Sequence, residues 1–280
     1  MKKGLIKKVV ASALLGIMTM GFVGCGASNK SEKESKDLLA TIQEKGKVVV
    51  GMSADYAPYE FHYIDENGQD VIGGFDVDIA NEIASALGVE LVIQEMDFDA
   101  LVAALPAGKI DLVVSGMNPT EERAKVVDFS EIYYNSQHGI LVRSEDVDKY
   151  KTFADLEGAK VGAQLGSTQE QIARNEIQNA DLQLLNNVNN LILELKAGKV
   201  DAVIMEKPVA EMAVKSNPEL AVGTPIYEDK TGGNAVGMAK NNPELLAKIN
   251  EVIKELNETG KMDEYIVKAN ELAGSVNIVE

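Results

Sequence analysis

AGKIDLVVSGMNPTEER, residues 107–123, decides how this chain is read. Ile110 to Val114 form an apolar run behind a glycine turn, which reads as a buried strand. Asn118, Pro119 and Glu121 then read as a helix start: a capping side chain, a proline at the first helical position and a carboxylate at the third. Arg123 falls in the first turn, and a helical side chain leans back toward the N-terminus of its helix. The segment therefore aims backbone N–H groups, a partial positive charge and a guanidinium fork at one spot, an arrangement that attracts a carboxylate.

The stretch has an echo. LVAALPAGKIDLVVSG from Leu101 returns as LILELKAGKVDAVIME from Leu191, with Leu101, Leu105, Ala107, Gly108, Lys109 and Asp111 matching Leu191, Leu195, Ala197, Gly198, Lys199 and Asp201. Both copies read as helix, glycine turn and strand. A weaker echo pairs KVVVGMSADYAP from Lys47 with AKVGAQLGSTQE from Ala159. Two similar half-structures are expected, not a solenoid, because the unit is long and occurs only twice.

Outward from these repeats, strands alternate with helices. A short helix is expected over 37–44, a buried strand over 48–52, a helix over 75–87 with Phe75, Ile79, Ile83 and Leu87 on one face, a strand over 89–93 and a helix over 99–107. The series resumes with a strand over 140–143, a helix start over 152–156, a strand over 160–163, a helix over 167–177, a strand over 182–185, a helix over 188–197 and a strand over 200–205. A strand over 234–239 follows, then a helix over 243–257 with Leu246, Ile249, Ile253 and Leu256 on one face. This order predicts an α/β protein of two Rossmann-like lobes, each a mostly parallel sheet with helices on both faces. Lobe 1 is expected to comprise 37–139 plus 232–280 and lobe 2 to comprise 140–231, joined by crossings near 139–143 and 228–233. Ligands in such sheets bind beyond the carboxyl ends of the strands, so facing lobes share one cleft.

The first 24 residues read as a leader. Lys2, Lys3, Lys7 and Lys8 precede an apolar run from Val9 to Val23, too short for an ordinary membrane span. Phe22-Val23-Gly24-Cys25 resembles a bacterial lipobox, though leucine is usual at the first position. An ordinary cleaved signal is the alternative. Cys25 is the sole cysteine and falls where the motif needs it, which favours a lipid anchor on Cys25 and an extracytoplasmic protein held at the cell membrane. Residues 25–36 read as a flexible tether. A single cysteine excludes internal disulfides and cysteine metal clusters, and a net charge of −17 argues against nucleic acid and anionic lipid as partners.

The second half has its own helix start in Ser167-Thr168-Gln169-Glu170, a capping box after Gly166. Glu206 ends the echoed strand, where a carboxylate can hold an ammonium. Tyr56, in a loop stiffened by Pro58, can stack on an aliphatic or cationic side chain. Each has a plainer role, as helix cap, solvated strand end or packing ring; their convergence at strand carboxyl ends is what points to a ligand. Catalytic motifs are missing: His62 and His138 are the only histidines, no GxSxG occurs, and no His or Cys spacing suits a metal.

With GMSADYAPYEF, GGFDVDIANEIA, GKIDLVVSGMNPTEERAKVVDFSEIYY, GAQLGSTQE and GKVDAVIMEKPVAE together, the chain resembles the extracellular solute-binding proteins of ABC transporters for polar amino acids, solute-binding family 3, from about Lys47 to about Ala269. The resemblance implies a two-lobed periplasmic-binding-protein-like (type II) fold that captures a free L-amino acid by hinge closure, as a monomer and without a cofactor, and hands it to a membrane permease. It implies that Arg123 clamps the ligand α-carboxylate with Thr120, Ser167 and Thr168, and that the α-ammonium is held by Glu206, Asn118 and the backbone at Ser115 and Gly116. Tyr56 packs on the ligand side chain. Glu206 stands where aspartate is common, Asn118 where threonine or serine is, and Ser53 where some basic-amino-acid binders carry aspartate. Arginine, lysine, glutamine and histidine all remain open as ligands. A cyclohexadienyl dehydratase-like enzyme and a sensory binding module are the alternatives on the same fold.

Overall fold

The computed structural model describes residues 37–135, 137–276 and 278. The leader, Cys25 and the tether lie outside the described residues. Among the described residues no helix is long and apolar enough to cross a membrane.

The chain builds two five-stranded sheets. The first is assembled from β1 (Lys47–Met52), β5 (Glu90–Glu95), β6 (Leu112–Val113), β7 (Val127–Tyr134) and β13 (Asn234–Ala239), in the order β5-β1-β6-β13-β7. The second comprises β8 (Gln137–Arg143), β9 (Lys160–Gln164), β10 (Asp181–Leu185), β11 (Ala202–Glu206) and β12 (Leu220–Glu228), in the order β10-β9-β11-β8-β12. A small antiparallel sheet of β2 (Asp55–Tyr56), β3 (Glu60–Ile64) and β4 (Asp70–Gly73) follows β1.

The two large sheets share one plan. In each, three strands run parallel and the fourth in spatial order runs against its neighbours: β13 in the first sheet and β8 in the second. These are the strands on which the chain enters a sheet from the other one, so they arrive from the opposite end. The sheets are therefore mixed, with four strands in one direction and one in the other. The strand β8 begins at Gln137, and His138 lies inside it, buried.

Helices α1 (Leu38–Lys45), α2 (Phe75–Leu87), α3 (Phe98–Ala104), α4 (Glu121–Ala124), α5 (Thr168–Glu176), α6 (Val188–Lys196), α7 (Lys207–Ser216), α8 (Pro243–Thr259) and α9 (Lys261–Ser275) cover the sheets. The four-residue spacing in α2 is used as expected: Phe75, Ile79, Ile83 and Leu87 are all buried, each such side chain stabilising by about 1.5–3 kcal/mol. In α8 the buried face is Leu245, Ile249, Val252, Ile253 and Leu256, so Leu245 goes inside where Leu246 was expected. Phe153–Leu156 form a single 3₁₀ turn, closed by a reciprocal Thr152–Asp155 capping box. Strands β7 and β12 and helices α7 and α9 lie in stretches that the sequence pattern left unassigned.

The opening segment differs in one respect from its reading. The cap of α4 is Thr120, whose Oγ1 accepts from the Arg123 N–H at 3.3 Å, and the helix is a single turn. Pro119 stays outside the helix, and the Asn118 side chain turns away to donate to Asp229 Oδ2 at 2.8 Å. With Asn118 held by Asp229 and the Gly233 carbonyl, Thr120, three residues before Arg123, takes the cap.

The echo is physical. Gly108 and Gly198 both turn the chain at positive φ, 65° and 70°. Asp111 Oδ2 accepts the Val49 N–H at 2.9 Å, and Asp201 Oδ2 accepts the Lys160 N–H at 2.9 Å. Each aspartate ties the start of the neighbouring strand to its own. The weaker echo is shifted by one: strand register places Val50 beside Leu112 and Val161 beside Ala202, so Val50 corresponds to Val161.

Candidate functional site

Four parallel strands end at the same place. β1 leads into Ser53, β6 into Ser115, β9 into Ser167, and β11 ends on Glu206. Between the two sheets lies a cavity of about 10 Å³ lined by Tyr56, Ser115 and Gly116 together with Ser53, Glu60 and Gln169, among others. That volume is room for about one water molecule. The halves lie closed on each other, and their polar groups bond across the seam.

The Tyr56 ring is buried, and its hydroxyl accepts from the Glu206 N–H and from Gln169 Nε2, both at 3.0 Å. Tyr59 donates its hydroxyl to Glu206 Oε2. Asn234, the first residue of β13, donates through Nδ2 to Glu206 Oε1 at 3.0 Å and to the Gly116 carbonyl at 2.7 Å. Thus Gly116 and Glu206, the last residues of the two echoed segments, meet on one amide.

Three carboxylates are sunk here. Asp76, from the first turn of α2, accepts the Gly116 N–H at 2.7 Å and the Tyr133 hydroxyl at 2.9 Å; burial pushes its carboxyl up to about 7. Glu60 accepts the Ser115 hydroxyl at 2.5 Å, and burial followed by the charge of Asp76 pushes it well above the usual range. Glu206 is also raised by burial, against the pull of His138 and of its bonds from Tyr59 and Asn234. Among the described residues, Oε2 of Glu60 and Oδ1 of Asp76 are buried without a hydrogen-bond partner. No Lys, Arg or His is among the cavity's lining residues.

Arg123 belongs to a second cluster. Its side chain is buried, which lowers its pKa to about 10. NH1 donates to the Asn118 carbonyl at 2.8 Å and NH2 to the Gly166 carbonyl at 3.0 Å, and the guanidinium lies 5.3 Å from the centre of the Phe98 ring. Arg123, Thr120 and Ser167 line an opening of about 510 Å³, and Phe98 lines both this opening and the central cavity. The Ser167 hydroxyl is committed locally, donating to Gln164 O at 2.6 Å and accepting the Glu170 N–H at 3.1 Å. The Thr168 hydroxyl is buried with no partner among the described residues.

Of the residues singled out from sequence, Tyr56, Ser115, Gly116 and Glu206 share the central network, while Asn118, Thr120, Arg123 and Ser167 gather at the second cluster. The clusters are linked by Gln169, near His138 Nδ1 at 3.3 Å, then by His138 Nε2 to Asp229 at 3.9 Å and Asp229 to Asn118. Tyr59, Asp76, Gln169 and Asn234 were missed as site residues. Tyr59 had a signal in its proximity to Tyr56. Asp76 was read only as part of an amphipathic helix, and Asn234 only as a strand start.

Polar groups from the strand ends of two facing α/β sheets, closing on a small shared cavity, define a two-lobed solute-binding protein. The chain belongs to the bacterial extracellular solute-binding proteins, family 3, whose pattern it matches over residues 48–269. It is 35% identical over 266 residues to the arginine-binding extracellular protein ArtP of Bacillus subtilis, covering 94% of this chain and 96% of that one. It is 33% identical to a probable histidine-binding protein of Campylobacter jejuni, covering 94% and 98%. Its fold superposes with a TM-score of 0.81, at 40% identity and 84% and 98% coverage, on the amino-acid ABC transporter substrate-binding protein AbpA of Streptococcus pneumoniae bound to L-arginine.

Proposed function

We propose that this protein captures a cationic L-amino acid, arginine first, outside the cytoplasm and delivers it to an ABC-transporter permease. It acts as a lipid-anchored monomer through Cys25, with no catalytic role. The observation that carries the ligand class is the set of buried carboxyls Glu60, Asp76 and Glu206, of which Glu60, together with Asp55, lines a cavity that has no basic lining residue. Burial holds these carboxyls above their ordinary range, and a cation beside them lowers the cost of ionising them, so a ligand that brings one is selected over a neutral amino acid. The arginine- and histidine-binding relatives support the same class.

In this reading Arg123 takes the α-carboxylate, with Thr120, Ser167 and Thr168 beside it, and Glu206 takes the α-ammonium with Asn118, Ser115 and Gly116. Tyr56 packs on the side chain. A cavity of about 10 Å³ does not admit an amino acid, so the lobes part to load and close to hold. Closure is driven by ligand that bridges groups from both sheets only when they meet. A thermal-shift screen against the twenty amino acids tests this: L-arginine gives the largest rise in melting temperature, followed by other cations. A larger rise with a neutral amino acid than with arginine would overturn the ligand class.

A further inference from the structure

The side chain of Asp55 lies in the short strand β2, on the side of the first sheet, and is buried. Its Oδ2 accepts the backbone N–H of Val188 at 2.6 Å, and its Oδ1 accepts the Ser53 hydroxyl at 3.0 Å. Val188 is the first residue of α6, which lies between β10 and β11 of the second sheet. One carboxylate thus closes a hydrogen bond from one half of the molecule onto a helix start in the other.

That helix start needs it. The cap of α6 is Asn187, whose side chain accepts from Asn190 N, and the first turn of α6 holds no acidic residue. The echoed helix α3 carries Asp99 in its own first turn. The Val188 N–H is one of the donors that every helix leaves without an internal partner. When the halves are apart, water can serve it. When they close it is buried, and Asp55 is the acceptor it meets. The same carboxylate places negative charge at the positive end of α6.

We propose that Asp55 is a closure latch: by capping α6 across the seam it sets how much of the protein rests closed before any ligand arrives. The latch is a property of the ligand-free molecule. Only its effect on affinity rests on the amino-acid reading above, through the rule that a ligand's apparent affinity scales with the population of its binding-competent state.

The test is a double-substitution cycle. Asp55→Ala removes the acceptor. Val188→Pro removes the donor, at a first helical position that tolerates proline, after Asn187 whose φ of −103° and ψ of 129° suit a residue preceding proline. Small-angle scattering of the ligand-free proteins reads the open fraction, and calorimetry with L-arginine reads affinity. Each single variant is expected to show a larger ligand-free radius of gyration that contracts to the wild-type value at saturating arginine, and at least a fivefold weaker Kd. The double variant is expected to match the singles, since both remove one bond. A ligand-free Asp55→Ala protein as compact as wild type overturns the latch, whatever the amino acid bound. So do losses in Kd that multiply in the double variant, which would mean Asp55 acts on the ligand directly. Should Val188→Pro fail to fold, the Asp55→Ala scattering alone decides. Absence of arginine binding in the wild type, with the Asp55→Ala expansion intact, would break the ligand reading and leave the latch standing.

Discussion

Leu101–Gly116 and Leu191–Glu206 are two versions of one device. In both, a leucine presses on a glycine of the neighbouring strand, Leu101 on Gly51 and Leu191 on Gly162. In both, a glycine turn leads to an aspartate that ties down the adjacent strand. They differ at the last residue. The first copy ends on Gly116, which contributes only its backbone N–H and carbonyl, both bonded. The second ends on Glu206, which contributes a charge. The framework is held in common, and the chemistry sits where the two copies part.

The sharpest way to break this contrast is to remove the charged group each half brings. Arg123→Ala and Glu206→Gln are both expected to weaken L-arginine binding by a hundredfold or more in calorimetry, the loss of a buried charge-assisted contact. Their stabilities are expected to diverge. Arg123→Ala strips donors from two carbonyls and lowers the melting temperature, while Glu206→Gln relieves a buried charge and does not. Unchanged affinity in either variant removes that residue from the site.

Next in size is the pH dependence. Asp55, pushed up to about 6 by burial, and Asp76, at about 7, hold protons in the folded protein that the unfolded chain releases near pH 4. Stability from these groups is therefore greatest below pH 4 and is lost as pH rises through 6 to 7, about 3 kcal/mol for Asp55. His62, raised by Asp70 and Glu95 against its own desolvation, adds stability with the same sign. The melting temperature is expected to fall from pH 5 to pH 7.5, with Asp55→Asn falling less. A wild-type melting temperature that climbs over this range contradicts the assignment.

The smallest effect compares the twin aspartates. Asp111 is buried and Asp201 is about one-third exposed. Asp111→Ala is expected to cost about 1–3 kcal/mol by urea unfolding and Asp201→Ala about 1 kcal/mol or less. Equal costs would mean that burial does not distinguish the two copies.

Most of the architecture could be read from periodicity, because helix α2 and the echoed helix–turn–strand units are local patterns. Strands β7 and β12 could not: they are joined to β13 and β8 by pairings that local spacing does not encode. The site divides the same way. Arg123 and Ser167 stood out because each sits beside a turn or cap signal, and Glu206 because it ends the echoed strand. Asp76 and Asn234 did not, since their roles come from bonds to Gly116, 40 and 118 positions away.

The reversed strand of each sheet bears on how the chain is made. The second sheet is one continuous stretch, Gln137 to Glu228, and can be completed as soon as it is synthesised. The first cannot. Its β6 and β7 do not touch; β13 lies between them and comes last of all the sheet strands. Until Asn234–Ala239 emerges, the first half carries two unpaired edges, the kind of surface that invites aggregation. The half that is begun first is finished last, and a chain cut short after Gly233 would keep its second sheet and leave its first divided, with β7 cut off from β6.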